Sequence, residues 1–517
     1  NAAPGDEVRL ARTCDVPAVA VSQIFPFEAS HLRAKYLRGL LAPRLHPVLE
    51  RQWARVWNEI CRTMYETDIV AADELLRISY RGIAMLDEEE GADLASRERR
   101  EAGVVVPRIF QRGTPPRELD ALLPKSEEFR RRFHFFVASL RMNMPRPAPV
   151  EAMPSFSVLI PHYGETIITT EKEIFSRASV STAAVRGQGP KAAAAATAAK
   201  PGFDEPEPLI AVLMEYFPDE LKCLRKRLGD LQWAAIWSAV ADNLAGMGEK
   251  AVAKRARRIS AEVGATTAAA ARMSMVGGDG ETAEELAARR RLLMLPLRKW
   301  ASMRLQTLYR TVRGMMFYER ALSLLLANQR PDLSAKRRME LVRSKFSCVV
   351  SMQRYHHFDE AFLEATEDLF EEFPNLQIAY IEEARDEEVP GGIRYYSCLI
   401  DGHCDKLPGL RRRPRLRVEL PGYPILGDGK GDNQNHALPF VRGRLVQTID
   451  ANQDGYLEEA IKICNALAEF SNADADSRDK VSILGFREHV YSALGSVANF
   501  AASSEFVFGT MIQRTMD

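Results

Sequence analysis

The stretch GYPILGDGKGDNQNHALPFVRGRLVQTIDANQDGYLEE, residues 422–459, holds a Gly-Asp-Gly-Lys turn, an Asn/Gln/His run, an apolar strand pattern and an Asp-bearing turn. Leu445–Ile449 reads as a short strand and Tyr456–Phe470 as a helix, with the acidic turn Asp450–Gly455 between them. A strand that runs through a polar turn into a helix is the repeating unit of an α/β fold.

Working outward, the segments Phe346–Met352, Gln377–Ile381, Ile393–Ile400, Arg415–Leu420 and Val481–Leu484 have strand character, and Phe358–Phe373 has helical character. Strands mixed with helices and hairpins predict a mixed α/β sheet, with the quoted stretch between its last strands. Far upstream, Ser155–Ile160 is a short apolar run that ends in Pro161-His162-Tyr163-Gly164-Glu165. Buried strands ending in such loops begin many ligand-binding sheets, with the ligand at the carboxyl ends.

The rest of the chain divides by composition. Residues 1–45 carry little pattern, and 46–150 read as a helical support region. There Val48, Trp53, Val56, Trp57, Ile60 and Met64 recur at helical spacing, a second helix lies near Ala71–Tyr80, and Phe129, Phe133, Phe136 and Leu140 line one face of Ser126–Leu140. Residues 151–177 hold the first strand and its loop, and 178–208 are an Ala/Pro-rich low-complexity insertion. Residues 209–242 are helical (Ile210–Tyr216, Glu220–Trp233), and 243–285 form an Ala/Gly-rich insertion. Its basic run Lys250–Arg258 suits a solvated face or anionic headgroups. Residues 286–517 form the remaining core, opening with a helical segment, Leu292–Leu326, expected to break at Pro296. Its core contacts would be Trp300, Met303, Leu308, Val312, Met315 and Met316. Arg304, Arg310 and Arg313 would form a basic edge that reaches a diphosphate or makes surface salt bridges.

At 517 residues the chain is long enough for two to four domains. Seventy basic residues balance seventy acidic ones, so no global field favours nucleic acid. Seven scattered cysteines form no disulfide framework and suit a reducing setting. No apolar run reaches the roughly 18 residues of a spanning helix. The first residue is not Met and the last follows a patterned segment, so a piece of something longer is expected.

Several known motifs fail on spacing. A P-loop would need Gly at Pro424 and Ser or Thr at Gly431. An EF-hand beginning at Asp450 would need Glu at Ile461. Cys398, His403 and Cys404 lack the second pair that a structural zinc site requires. What survives is a glycine-bounded loop able to bring backbone amides and an ammonium group to phosphate oxygens. Beside it is an acidic turn able to accept hydrogen bonds from sugar hydroxyls or to ligate Mg²⁺. Asp454 is expected to cap the following helix.

Residues 399–404 (LIDGHC), 411–463 (from RRRPRLRVELPGYPILGDGKGDNQNH to YLEEAIKI) and 485–490 (GFREHV) closely resemble 1,3-β-glucan synthases of fungi and callose synthases of plants. SFSVLIPHYGE (155–165), LRKWASMRLQTLYRTVRGMMFYERAL (297–322), FSCVVSMQR (346–354), LQIAYIEE (376–383) and FGTMIQRT (508–515) extend the likeness in order. WARVWNEICRTMYETDIVAADELL (53–76) carries it upstream. The resemblance implies a GT-A-like glycosyltransferase sheet that transfers glucose from UDP-glucose, with inversion, to a growing β-1,3-glucan. It places the chain on the cytoplasmic face of the plasma membrane, within a multi-pass protein whose spanning segments lie outside these residues. It also implies Tyr163 beside the uridine, Lys430 on the diphosphate, Asn433 among the donor-binding polar groups and Asp450 at the donor sugar-phosphate. These residues single out no cofactor, although Asp450 could hold Mg²⁺. The family's acidic Asn-Glu-Asp motif, which would supply the general base, falls beyond residue 517, so this chain alone is expected to bind donor weakly and not to polymerise. The alternative is a non-catalytic scaffold of a membrane glucan synthase complex that binds a Rho-type GTPase, a partner the resemblance also implies.

Overall fold

The structure, a computed structural model, describes residues 16, 20, 23–25, 47–83, 104–111, 116–140, 142, 144–178, 207–273, 282–386, 391–427, 429–451, 453–470 and 481–485. Its centre is a six-stranded mixed sheet made of β1 (Phe156–Pro161), β2 (Phe346–Ser351), β3 (Gln377–Arg385), β4 (Ile393–Asp401), β5 (Leu416–Glu419) and β6 (Leu445–Thr448), in the order β6-β1-β2-β3-β4-β5. The first four of that order run parallel, with Phe156 opposite both Leu445 and Phe346 and Val349 opposite Gln377. β4 and β5 extend the sheet as antiparallel neighbours.

β1 is buried along its whole length, as a parallel strand covered on both faces must be. Phe156, Val158 and Ile160 point into the main core with Phe346, Cys348 and Val350, whereas Leu159, Val349, Ala379 and Leu399 meet Ala437 and Phe440 on the opposite face. The main-core face is covered by helices. In α1 (Pro47–Glu66) Trp53 stacks on Trp57 at 5.9 Å and on Phe136 at 6.3 Å, and Phe133 meets Trp57 edge-on. Phe133 and Phe136 belong to α2 (Glu127–Ser139), which Ser126 caps by accepting from the Phe129 N–H.

Between β1 and β2 a helical module has its own core. It contains α3 (Leu209–Tyr216), α4 (Pro218–Leu228), α5 (Asp230–Gly246), α6 (Lys250–Ala261) and α7 (Ala283–Ser302). Buried residues occur all round α5, including Trp233, Trp237 and Val240, because α4, α6 and α7 surround it. The helix expected over Glu220–Trp233 is two helices, split at Gly229, whose φ of +79° ends α4. The basic run Lys250–Arg258 lies on α6.

Other expectations are corrected. The long helix does not break at Pro296, which lies within α7. It stops at Met303 and restarts as α8 (Leu308–Gln329), where the Thr307 hydroxyl accepts from the Arg310 N–H, so a cap rather than the proline sets the boundary. Helix α9 (Ala335–Lys345) leads into β2, and α10 (Glu360–Glu372) joins β2 to β3. Residues 481–485 form no strand, and Ile483 is almost fully exposed. The helix expected over Tyr456–Phe470 is two short ones, α12 (Leu457–Ala460) and Ile463–Ala468.

The largest difference concerns the stretch quoted first. It does not stay between consecutive strands, because β5 and β6 are opposite edges of the sheet. Residues 420–444 carry the chain from one edge to the other, and Ala437 and Phe440 bury themselves on the sheet as it passes.

Candidate functional site at the carboxyl ends of the parallel strands

β1, β2 and β6 all end on one rim. The His162 N–H donates to the Ser351 carbonyl at 2.9 Å, and the Ile449 N–H to Leu159 at 3.4 Å, so the three chain exits remain joined beyond the strands. In open α/β sheets such a rim is where ligands bind.

His162 is buried, its Nε2 lies 2.8 Å from the Glu165 carbonyl, and burial lowers its pKa. Its neighbour Tyr163 is 47% exposed and donates its N–H to Glu165 Oε2 at 2.7 Å. Burial first, then the carboxylates of Glu165 and Asp450, push the Tyr163 phenol up to about 12. Asp450, half-buried two residues after β6 ends, is therefore within electrostatic reach of Tyr163 although 287 positions separate them (450 − 163).

The third component is α11 (Lys430–Asn435), a single turn that begins after Gly429, whose φ is +134°. Lys430 is its first residue. Asn433 is buried: its amide N–H donates to the His162 carbonyl at 2.9 Å, and its Oδ1 accepts from the Ser351 hydroxyl at 3.1 Å. Asn433 thus faces the sheet and ties α11 to the ends of β1 and β2. His436 continues the seam, with Nε2 3.1 Å from Ser351 Oγ and Nδ1 3.0 Å from Ser397 Oγ, and burial pulls its pKa down to about 4. The structure brings Tyr163, Asp450 and the backbone of Lys430 to one rim and places Asn433 beneath it.

The turn carrying Asp450 is held from the helical side. The Thr311 hydroxyl donates to the Ala451 carbonyl at 2.7 Å, and Arg310 Nε to Asp454 Oδ2 at 2.8 Å. Asp454 is not the helix cap, since Tyr456 occupies that position and Asp454 is spent on Arg310 and on the Gly455 N–H. Gly314 of α8 touches Gly455 so closely that a Cβ on Gly455 would lie 2.7 Å from the Gly314 carbonyl oxygen. Beyond it, the Arg132 guanidinium sits 4.1 Å from the Tyr456 ring centre and forms a buried two-pronged pair with Glu458 at 2.6 and 2.7 Å. Burial alone would lower the pKa of Arg132, but Glu458 outweighs it and holds the guanidinium above its ordinary value.

Arg304, Arg310 and Arg313 are not a basic edge. Arg304 stacks on Trp300 at 4.2 Å and burial pulls its pKa down to about 10, Arg310 holds Asp454, and Arg313 reaches Tyr309 and Glu372. Helical spacing alone could not distinguish internal cations from external ones, and their acidic partners lie far away in sequence. Cys398 contacts Glu382, His403 Nε2 lies 3.0 Å from Asn375, and Cys404 donates to Asp401. Among the described residues no cluster of three or more His, Cys, Asp or Glu is placed to hold a metal.

The model of the "1,3-beta-glucan synthase component" family matches residues 122–185 and 284–517, spans that contain every residue of this rim. The chain belongs to that family. Glucan synthase relatives agree along nearly the whole chain: the 1,3-beta-glucan synthase component FKS1 of Aspergillus niger is 35% identical over 90% of this chain and 23% of its own length. The component bgs2 of Schizosaccharomyces pombe is 32% identical over 90% and 23% respectively. Putative callose synthase 8 of Arabidopsis thaliana is 32% identical over 76% of this chain and 17% of its own. The chain therefore spans about a quarter or less of the curated relatives it matches. The family model leaves out residues 186–283, where α3–α6 lie, and covers the whole of the rim.

Proposed function

We propose that this chain forms the donor-binding part of a GT-A-like 1,3-β-glucan synthase that transfers glucose from UDP-glucose to a growing β-1,3-glucan. The observation that carries the reading is the convergence of Tyr163, Asp450 and the start of α11 at the carboxyl ends of three parallel strands. On this reading the half-exposed Tyr163 ring supports the uracil. Lys430, at the start of α11, offsets charge that develops on departing UDP. Asp450 accepts hydrogen bonds from the sugar, and Asn433 holds the floor of the site by fastening α11 to the His162 turn. Inversion further requires a carboxylate to take the proton of the acceptor's 3-hydroxyl as it attacks, and we assign that role to none of the rim residues. The enzyme would work at the cytoplasmic face of the plasma membrane.

Lys430→Ala or Asp450→Ala, introduced into a glucan-forming protein that contains this chain, should lower glucan synthesis by about 100-fold or more. Unchanged synthesis with either would remove the donor-site assignment and favour the Rho-GTPase-binding scaffold. The 517 residues alone should bind donor without polymerising it, and turnover of UDP-glucose by them would overturn that division of labour.

A further inference from the structure

We infer that Arg354 is a phosphate-binding residue of this rim, a guanidinium that grips the nucleotide's diphosphate from the end of β2; the inference rests on the donor-site reading above. Arg354 lies three residues after Ser351, whose hydroxyl bonds to Asn433 and His436 and whose carbonyl receives the His162 N–H. The exit of β2 is therefore fastened to the same two segments that bear Tyr163 and Lys430. The short 3-10 turn Gln353–His357 follows that exit. Its first residue, Gln353, is buried and accepts the Gly427 N–H at 3.1 Å, which brings Gly427 down onto the turn.

Arg354 sits directly against that loop. A Cβ built on Gly427 would lie 2.6 Å from Arg354 Nη2 and 3.3 Å from Cζ. The +87° φ of Gly427 favours glycine there, and a side chain at that position would have to push the guanidinium aside. The two features together place a planar cation beside Gly427, three residues ahead of Lys430.

The state of the guanidinium sets it apart from its neighbours. Arg411 donates to the carbonyls of Tyr355 and Phe358, Arg412 is locked to Glu367, Arg415 to Asp401 and Arg417 to Glu382. Arg310 and Arg313 hold Asp454 and Glu372. Arg354 is exposed, and among the described residues its guanidinium makes no hydrogen bond or ion pair. A fork of parallel N–H donors that lies beside a glycine loop at a ligand rim, and that no described residue neutralises, matches the two oxygens of a phosphate. Lys430 supplies a point charge that any anion can satisfy. Arg354 adds the geometry that selects a phosphate chain, so its contribution should appear in discrimination between ligands with and without phosphates.

The test is calorimetric titration of the 517-residue chain with uridine, UMP and UDP, for wild type, Arg354→Gln and Arg354→Lys. Wild type should bind UDP more tightly than uridine. Arg354→Gln should weaken UDP by about 10- to 100-fold and leave uridine unchanged, with Arg354→Lys between the two, because charge-assisted hydrogen bonds are lost while the base contact is kept. Since the side chain is exposed, the variants should melt with the wild type. A wild-type preference for UDP that survives Arg354→Gln intact overturns this inference and leaves the donor site standing. Failure of the wild-type chain to prefer UDP over uridine overturns both.

Discussion

The two turns that flank the rim are built in opposite ways. The Asp450 turn is locked by charge and close packing: Thr311 on Ala451, Arg310 on Asp454, Gly314 against Gly455, and the buried Arg132–Glu458 pair below. The turn that precedes α11 is largely exposed, uses positive φ at Gly427 and Gly429, and is held by neutral groups, namely Gln353, the Tyr423 hydroxyl and, at the far end of α11, Asn433 and His436. On the proposed donor-site reading, a carboxylate that must meet a sugar at one angle gains from a fixed mount, and a loop that wraps a diphosphate gains from amides that can adjust.

This contrast predicts different failures. The largest effect should come from Arg132→Ala, which leaves Glu458 buried without its partner and should cost about 3–5 kcal/mol in chemical denaturation. Replacing both residues by apolar ones of similar volume should recover most of that loss, and a variant as stable as wild type would show the charged mount to be ornamental. Next is acid. The folded pKa of His436 is about 4 against an ordinary 6.5, so between those values the unfolded chain binds the proton more readily. Its stabilising contribution, about 3 kcal/mol, is complete above pH 6.5 and lost as the pH falls toward 4. His436→Asn should flatten that slope in thermal melts across pH, and an unchanged slope would free His436 of the role. The smallest effect should be Gly427→Ala, about 1 kcal/mol from the left-handed backbone in an exposed turn, with a disproportionate loss of UDP affinity because the new methyl displaces Arg354.

Much of this architecture was legible from local pattern. The buried runs at 156–160 and 346–351 and the short apolar-led strand at 445–448 announced themselves as strands, and Trp53, Trp57, Phe133 and Phe136 as a core face, because strand and helix periods leave a mark on sequence. The sequence could not show that residues 420–444 cross the sheet, since pairing of β6 with β1 is decided by packing rather than by proximity along the chain. The same limit explains the arginines. Nothing near Arg310 indicates that its partner will be Asp454, 144 positions away. It also explains Asn433, whose polar company in Asn-Gln-Asn-His suggested a ligand, whereas the i, i+3 spacing with His436 was the mark of a shared face turned to the sheet. Arg354 was missed because its significance lies in what it leaves unpaired.

The most direct measurement is UDP-glucose binding to the 517-residue chain beside its Lys430→Ala and Asp450→Asn variants, with thermal melts to confirm the fold. The structure predicts saturable binding by wild type that falls at least about 10-fold in each variant. A wild-type chain that binds no UDP-glucose, or variants that bind it as well as wild type, would contradict the assignment of this rim as the donor site.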